Sequence, residues 1–196
     1  MNVETEQEKG QITKPKARQK WVWARSAKEC AYLAAFVALV IGGQVALSPI
    51  PGVEIVTVLF VSYAFVFGIS RGMIASTAFS LLRQLVFPFS PPVLILYLVY
   101  YNFLTATFGF FGRIVKRPLV CLWWLTVAAC LCTACFTMLD NLVTPWWLGF
   151  SERAKEAYVY ASLSFMIPQI ICTAITMGVL FYPLQRVFRL IKKGLR

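Results

Sequence analysis

Long apolar runs, separated by short polar or proline-containing turns, dominate the sequence from residue 27 onward. The six runs cover about residues 28–47, 53–69, 73–88, 93–111, 119–139 and 159–182. Because a helix needs about 20 apolar residues to cross a bilayer, the pattern predicts an all-α integral membrane protein with six transmembrane helices. A tight polar turn is expected at Ser70–Gly72, the longest loop from Asp140 to Tyr158, and a kink or loosening at Pro168.

The first run carries small residues at helical spacing. They form two adjoining rows, Ala27, Ala31 and Ala35 beside Ala34, Ala38, Gly42 and Ala46. In lipid, such surfaces mark contact between helices, because close packing replaces the hydrophobic drive there. We therefore predict that five alanines, here named the small-residue face, dock on a partner helix: Ala27, Ala31, Ala34, Ala35 and Ala38. The alternative is that this face only packs within the chain.

A proline-stiffened turn, the Ser48–Gly52 turn, follows the first run. Pro49 and Pro51 restrict the backbone, and Gly52 supplies conformational freedom beside Glu54. We expect Ser48, Pro49, Pro51 and Gly52 to act as a gate that is more mobile when the ligand site is empty.

Composition agrees with a membrane protein. The 196 residues are 59% hydrophobic and 14% charged, whereas soluble domains are nearer half apolar and a quarter charged. We expect one membrane domain at 26–190, between a flexible basic cytoplasmic tail at 1–25 and a basic cytoplasmic tail at 191–196. Sixteen of the 19 Lys and Arg residues fall in the two tails and in alternate loops. This bias places both termini in the cytoplasm, and it explains the net charge of +11 without nucleic acid as a partner.

Few residues of the chain are candidates for catalysis. The chain has no histidine, which excludes histidine-based acid–base and nucleophilic catalysis. There is no phosphate-binding loop and no carboxylate pair on one helix, so we expect no enzyme, no cofactor and no metal site. The six cysteines fit small apolar positions in membrane helices. The redox-like spacing of Cys132 and Cys135 leaves an intramembrane thiol enzyme as a lesser alternative.

Ionisable residues inside a span are costly and mark functional sites by default. Glu54, Arg83 and Asp140 qualify, and the predicted topology places all three towards the external face. With nearby polar and aromatic side chains, the predicted ligand site comprises Glu54, Arg83, Gln84, Tyr97, Tyr101, Asn102, Asp140 and Gln169. A buried guanidinium needs an anion, which is either Glu54 or a carboxylate or phosphate of the ligand. The alternative is that the charged groups extend into the headgroup layer.

The run PIPGVEIVTVLFVSYAFVFG, Pro49 to Gly68, resembles the second-span region of the substrate-binding S-components of energy-coupling factor (ECF) vitamin transporters. The resemblance is nearest to the branch that includes cobalamin-linked proteins. The small-residue face is similar to the Ala-xxx-Ala motifs by which S-components dock, and the ending LFYPL, Leu180 to Leu184, also resembles that branch.

This resemblance implies a multi-pass protein in the plasma membrane of a prokaryote, surrounded by membrane lipid. Such a subunit captures a vitamin-like small molecule from outside and docks on a coupling transmembrane subunit with two ATPase subunits. The chain departs from the branch at Arg83, where relatives tend to have an acid, and at Met166 and Gln169, where they tend to have Asp and His. Cobalamin is therefore not carried over. A non-transporting membrane scaffold or accessory subunit remains the alternative.

Overall fold

The computed structural model describes residues 27–115 and 120–195, and all of its regular structure is helical. The helices are α1 (Ala27–Leu47), α2 (Val56–Phe67), α3 (Ile69–Val86), α4 (Pro91–Ile114), α5 (Leu122–Trp147) and α6 (Glu152–Gly194). The prediction of an all-α protein is confirmed. Among the described helices, α1, α4, α5 and α6 are long and apolar enough to cross a membrane. These four helices indicate a membrane protein, while the count of six spans and the cytoplasmic placement of the termini stay predictions. The predicted tail at 1–25 lies outside the described residues.

The short helix α2 lies at the centre of the bundle. Every residue from Val56 to Val66 is buried, and α2 contacts all five other helices. Its 12 residues span only about 18 Å at the usual helical rise, less than the hydrocarbon thickness of about 30 Å. Phe60 shows how this centre is filled, because its ring packs on Phe36, Phe79 and Tyr101 at centroid distances of 5.6, 5.2 and 5.1 Å.

The connection from α2 to α3 is a single glycine. Gly68 has φ +88°, a conformation that residues with a side chain rarely adopt. The predicted polar turn at Ser70–Gly72 is wrong, because these residues already form the first turn of α3. Helix α4 crosses this junction so closely that its backbone contacts the backbone of α2. A Cβ atom on Gly112 would overlap the carbonyl oxygen of Phe65.

The predicted long loop from Asp140 to Tyr158 is also wrong. Helix α5 continues to Trp147 and α6 begins at Glu152, so the connection is only residues 148–151. Polar residues of this region join the two helices instead, since Asp140 accepts a hydrogen bond from Tyr158 and Asn141 accepts one from Ser162. Helix α6 then runs 43 residues through Pro168 and Pro183 to Gly194, and it includes most of the predicted basic tail.

Helix α1 has two opposite faces. Phe36, Val37 and Val40 are buried against the bundle, and Phe36 stacks on Tyr63 with ring centroids 4.1 Å apart. On the other side, all five alanines of the small-residue face are exposed. A Cβ atom added to Gly42, which continues this face, would meet nothing within 4 Å. None of the described helices covers the small-residue face.

Each end of α1 is tied to the bundle by a polar contact. Near its start, Glu29 Oε1 accepts a hydrogen bond from Arg71 Nη2 of α3 at 2.6 Å. Near its end, Gln44 bonds to side chains of α3 and α4. Apolar packing therefore fixes the middle of α1, and polar pairs fix its register at both ends.

Candidate ligand site

A cavity of about 340 Å³, here named the Arg83 cavity, lies beneath the Ser48–Gly52 turn. Residues from α1, the α1–α2 connection, the end of α3 and the middle of α6 line it: Gln44, Leu47, Ser48, Ile50, Pro51, Gly52, Val53, Glu54, Arg83, Phe87, Phe165 and Gln169. Its volume falls within the range of roughly 300–1,000 Å³ that small-molecule pockets occupy. The turn that we expected to act as a gate therefore forms part of a cavity wall. Pro49 is the one predicted gate residue that does not line it.

Arg83 is held by aromatic rings and one amide rather than by a carboxylate. Its Nε donates a hydrogen bond to Gln44 Oε1 at 3.1 Å, and Gln44 Nε2 donates to the Tyr97 hydroxyl at 3.1 Å. The guanidinium carbon lies 4.4 Å from the ring centroid of Phe87 and 4.3 Å from that of Tyr97, within the range of cation–π attraction. No carboxylate in the described part of the chain pairs with Arg83. Glu54, the expected candidate, is thus not its partner.

Glu54 is fixed between α2 and α6. Its Oε1 accepts a hydrogen bond from Thr57 at 3.0 Å. Its backbone amide donates to the Cys172 sulfur, and the thiol donates to the Glu54 carbonyl, both at 3.4 Å. The residue lies in the connection outside the helices. There, burial raises the pKa of its carboxyl, while hydrogen bonds from Thr57 and Gln169 lower it.

The Ser48–Gly52 turn rests on α6. Gly52 has φ +79°, and a Cβ atom there would lie 2.7 Å from Pro168 Cβ. The turn is otherwise held by short-range bonds, such as the amide of Ile50 to the carbonyl of Leu47 at 3.0 Å. The turn therefore lines the cavity with local hydrogen bonds only, and it meets α6 by close packing of Gly52 on Pro168.

A second cavity of about 310 Å³, here named the Asp140 cavity, adjoins the first. Its lining is Phe136, Thr137, Asp140, Tyr158, Ala161, Ser162, Phe165 and Gln169. The carboxylate of Asp140 is oriented by two hydroxyls at 2.7 Å, with Oδ1 accepting from Thr144 and Oδ2 from Tyr158. No Lys or Arg of residues 27–115 and 120–195 pairs with it. Phe165 and Gln169 line both cavities, so these two residues of α6 form a shared wall.

Four of the predicted ligand residues line neither cavity. Tyr101 is buried in the core. Asn102 joins α4 to α3, where it donates to Thr77 Oγ1 at 3.2 Å and accepts from Ser76 at 2.9 Å. Both amide atoms of Gln84 are buried without a hydrogen-bond partner among the described residues. Tyr97 is the fourth, and its ring contacts the guanidinium of Arg83.

Sequence reasoning missed the aromatic walls Phe87 and Phe165. Each lies four residues from a predicted polar residue: Phe87 follows Arg83 and directly succeeds the end of α3, and Phe165 precedes Gln169 within α6. Residues at this spacing are neighbours on a helix surface. The spacing could have identified both, although nothing else distinguishes them from the other phenylalanines.

Comparison with known proteins assigns no family. No protein-family model matches the chain, and no curated protein and no solved structure matches it. Within the described residues, no group of three or more potential metal-binding side chains is present. The features that indicate a function are therefore the two cavities, the outward face of α1 and the sequence pattern.

Proposed function

We propose that this chain is the substrate-capture subunit, the S-component, of an ECF-type ABC importer. It binds a vitamin or related micronutrient from outside and docks on a coupling subunit that carries two ATPases. In this proposal all six helices belong to the transmembrane bundle, and both termini lie in the cytoplasm of a prokaryotic cell. The two cavities then open on the external side.

The observation that carries the proposal is the double role of α1. The helix turns its small-residue face away from the bundle, and its last turn contributes Gln44 and Leu47 to the Arg83 cavity. A capture subunit needs both features, a ligand cavity and a surface for a partner subunit, and a single rigid helix would connect them. Exposed alanines allow a partner backbone to approach closely, which favours helix association in lipid.

A membrane scaffold is the second candidate, because the same exposed face would serve any partner helix. The alternative that the small-residue face only packs within the chain loses support, since no described element covers it. A scaffold also gives no role to two adjoining cavities that contain charged side chains. The capture function accounts for both the cavities and the face.

The test is purification of the full chain from its native membranes in mild detergent. Mass spectrometry then identifies co-purifying proteins and any small molecule released on denaturation, and a vitamin panel is screened for thermal stabilisation. We expect a coupling subunit, ATPase subunits and at least one stabilising compound. A well-folded chain that binds nothing in the panel and never co-purifies with such subunits contradicts the proposal. A stable partner from an unrelated complex, with no ligand, supports the scaffold.

A further inference from the structure

The two cavities contain opposite charges that the described part of the protein does not neutralise. Arg83 has no carboxylate partner and Asp140 has no Lys or Arg partner. The cavities adjoin at Phe165 and Gln169. A molecule lying across this shared wall would reach the guanidinium at one end and the carboxylate at the other.

The Arg83 end is built for an acidic group. Only Nε of the guanidinium has an acceptor among the described residues, the Gln44 amide, so both terminal nitrogens keep their donors. The guanidinium carbon lies over the rings of Phe87 and Tyr97, which attract the cation without supplying a hydrogen-bond acceptor to its terminal nitrogens. Two parallel N–H groups along an edge of the guanidinium match the geometry of a carboxylate or phosphate. Glu54 lines the same cavity but forms no ion pair with Arg83, and its Oε1 accepts a hydrogen bond from Thr57.

The Asp140 end is built for a positive group. Its carboxylate is oriented by Thr144 and Tyr158, and both partners are neutral donors. Three aromatic residues line the same cavity, Phe136, Tyr158 and Phe165. A carboxylate beside aromatic faces attracts a protonated amine or a quaternary nitrogen, because both features favour a cation. An anionic group placed here would be repelled.

From this geometry we propose that the captured molecule carries two opposite charges, with its carboxylate or phosphate at Arg83 and its cationic nitrogen at Asp140. Its middle lies against Phe165 and Gln169. This inference rests on the capture function proposed above and specifies the chemical class of the substrate. It separates the ligand from vitamins that carry only one charged group.

The experiment compares matched compounds that carry both the acidic and the basic group, or only one of them. One trio is pyridoxamine 5′-phosphate, pyridoxine 5′-phosphate and pyridoxamine; the other is 4-(aminomethyl)benzoate, 4-methylbenzoate and 4-methylbenzylamine. Affinities are measured by calorimetry on the detergent-purified wild-type chain. We expect the compound with both charged groups, in at least one trio, to bind about tenfold or more tighter than either relative. Each relative lacks one of the two charged contacts.

Two variants test which end of the ligand Arg83 and Asp140 each bind. Arg83→Gln should remove the preference for the acidic group and keep that for the amine, whereas Asp140→Asn should do the reverse. Arg153→Gln and Glu152→Gln are the controls, because they remove the same charges from exposed positions at the start of α6 and should change neither preference. Thermal midpoints verify folding. The comparison of compounds on the wild-type chain does not depend on any variant.

Each outcome decides one point. The proposed charge class is overturned if singly charged members bind as tightly as the doubly charged one, or if folded Asp140→Asn keeps the preference for the amine. It is also overturned if neither trio binds while other vitamins do; the capture function survives all three results. If no compound of any class binds and no transporter subunit co-purifies, the capture function itself fails.

Discussion

Arg83 keeps a charged group near the end of an apolar bundle because three neutral side chains replace the partners that water would provide. Two rings offer their faces, and Gln44 accepts a hydrogen bond. Cation–π contacts gain strength when the cation is desolvated. The N–H donors at the terminal nitrogens of Arg83 have no acceptor among the described residues. These donors are unfavourable to bury, and for the same reason they are available to bind a ligand.

Replacement of Arg83 should therefore weaken binding more than folding. We expect Arg83→Ala to reduce the affinity for the native ligand by about 2–5 kcal/mol, the range for truncation of one member of a buried charged pair. Arg83→Lys should recover only part of the loss, because an ammonium cannot reproduce the two parallel donors. Calorimetry gives the affinity, and thermal unfolding gives the stability. Unchanged affinity in a folded Arg83→Ala chain would place this side chain outside the site.

Glycines set how closely the helices approach. Gly112→Ala should destabilise the chain by about 1–3 kcal/mol, the cost of forcing extra atoms into a packed interior, because the new Cβ would overlap the Phe65 carbonyl oxygen. The matched control is Gly178→Ala on α6, where a Cβ meets nothing within 4 Å and helix propensity favours alanine. Thermal unfolding in detergent compares the two. Equal midpoints would show that α4 and α2 can separate without cost.

At the scale of elements, apolar periodicity predicted the helices but not where α5 and α6 meet. Asp140 and Thr144 are polar and precede Pro145, so the local sequence favours a loop. In the folded chain both segments are helical, and Asp140 bonds to Thr144 on its own helix and to Tyr158 on α6. The bond between Asp140 and Tyr158 joins residues on different helices, and such pairing is invisible in one sequence. The cavity walls were missed for the same reason, since Phe87 and Phe165 differ from lipid-facing phenylalanines only in what lies opposite them.

The Ser48–Gly52 turn is the element that we expect to move. It meets α6 where Gly52 lies against Pro168, and its described hydrogen bonds are local. Hydrogen exchange of this turn should slow when the ligand is bound, while exchange in α2, which is buried throughout, should stay unchanged. Gly52→Ala should weaken binding, because the residue has positive φ and no room for a Cβ. Identical exchange in the empty and bound states would contradict a gate.

At the scale of the whole molecule, ligand site and partner surface lie on different sides of one helix. The buried face of α1 packs on α2 and α3, its last turn reaches the Arg83 cavity, and its outer face is free of described neighbours. Changes on the outer face should therefore leave the cavities intact. This separation allows docking and binding to be tested independently.

Larger side chains on the small-residue face should abolish transport and spare ligand binding. Ala31→Leu, Ala35→Leu or Ala38→Leu adds bulk where a partner helix must approach, and such overpacking costs about 1–3 kcal/mol at a close helix contact. All three positions are exposed, so the isolated chain should fold and bind normally. Uptake in cells and co-purification of the coupling subunit measure docking, and calorimetry measures binding. Ile175→Phe, which enlarges an exposed side chain on α6, is the control and should transport normally. Normal uptake by all three leucine variants would exclude this face as the docking surface.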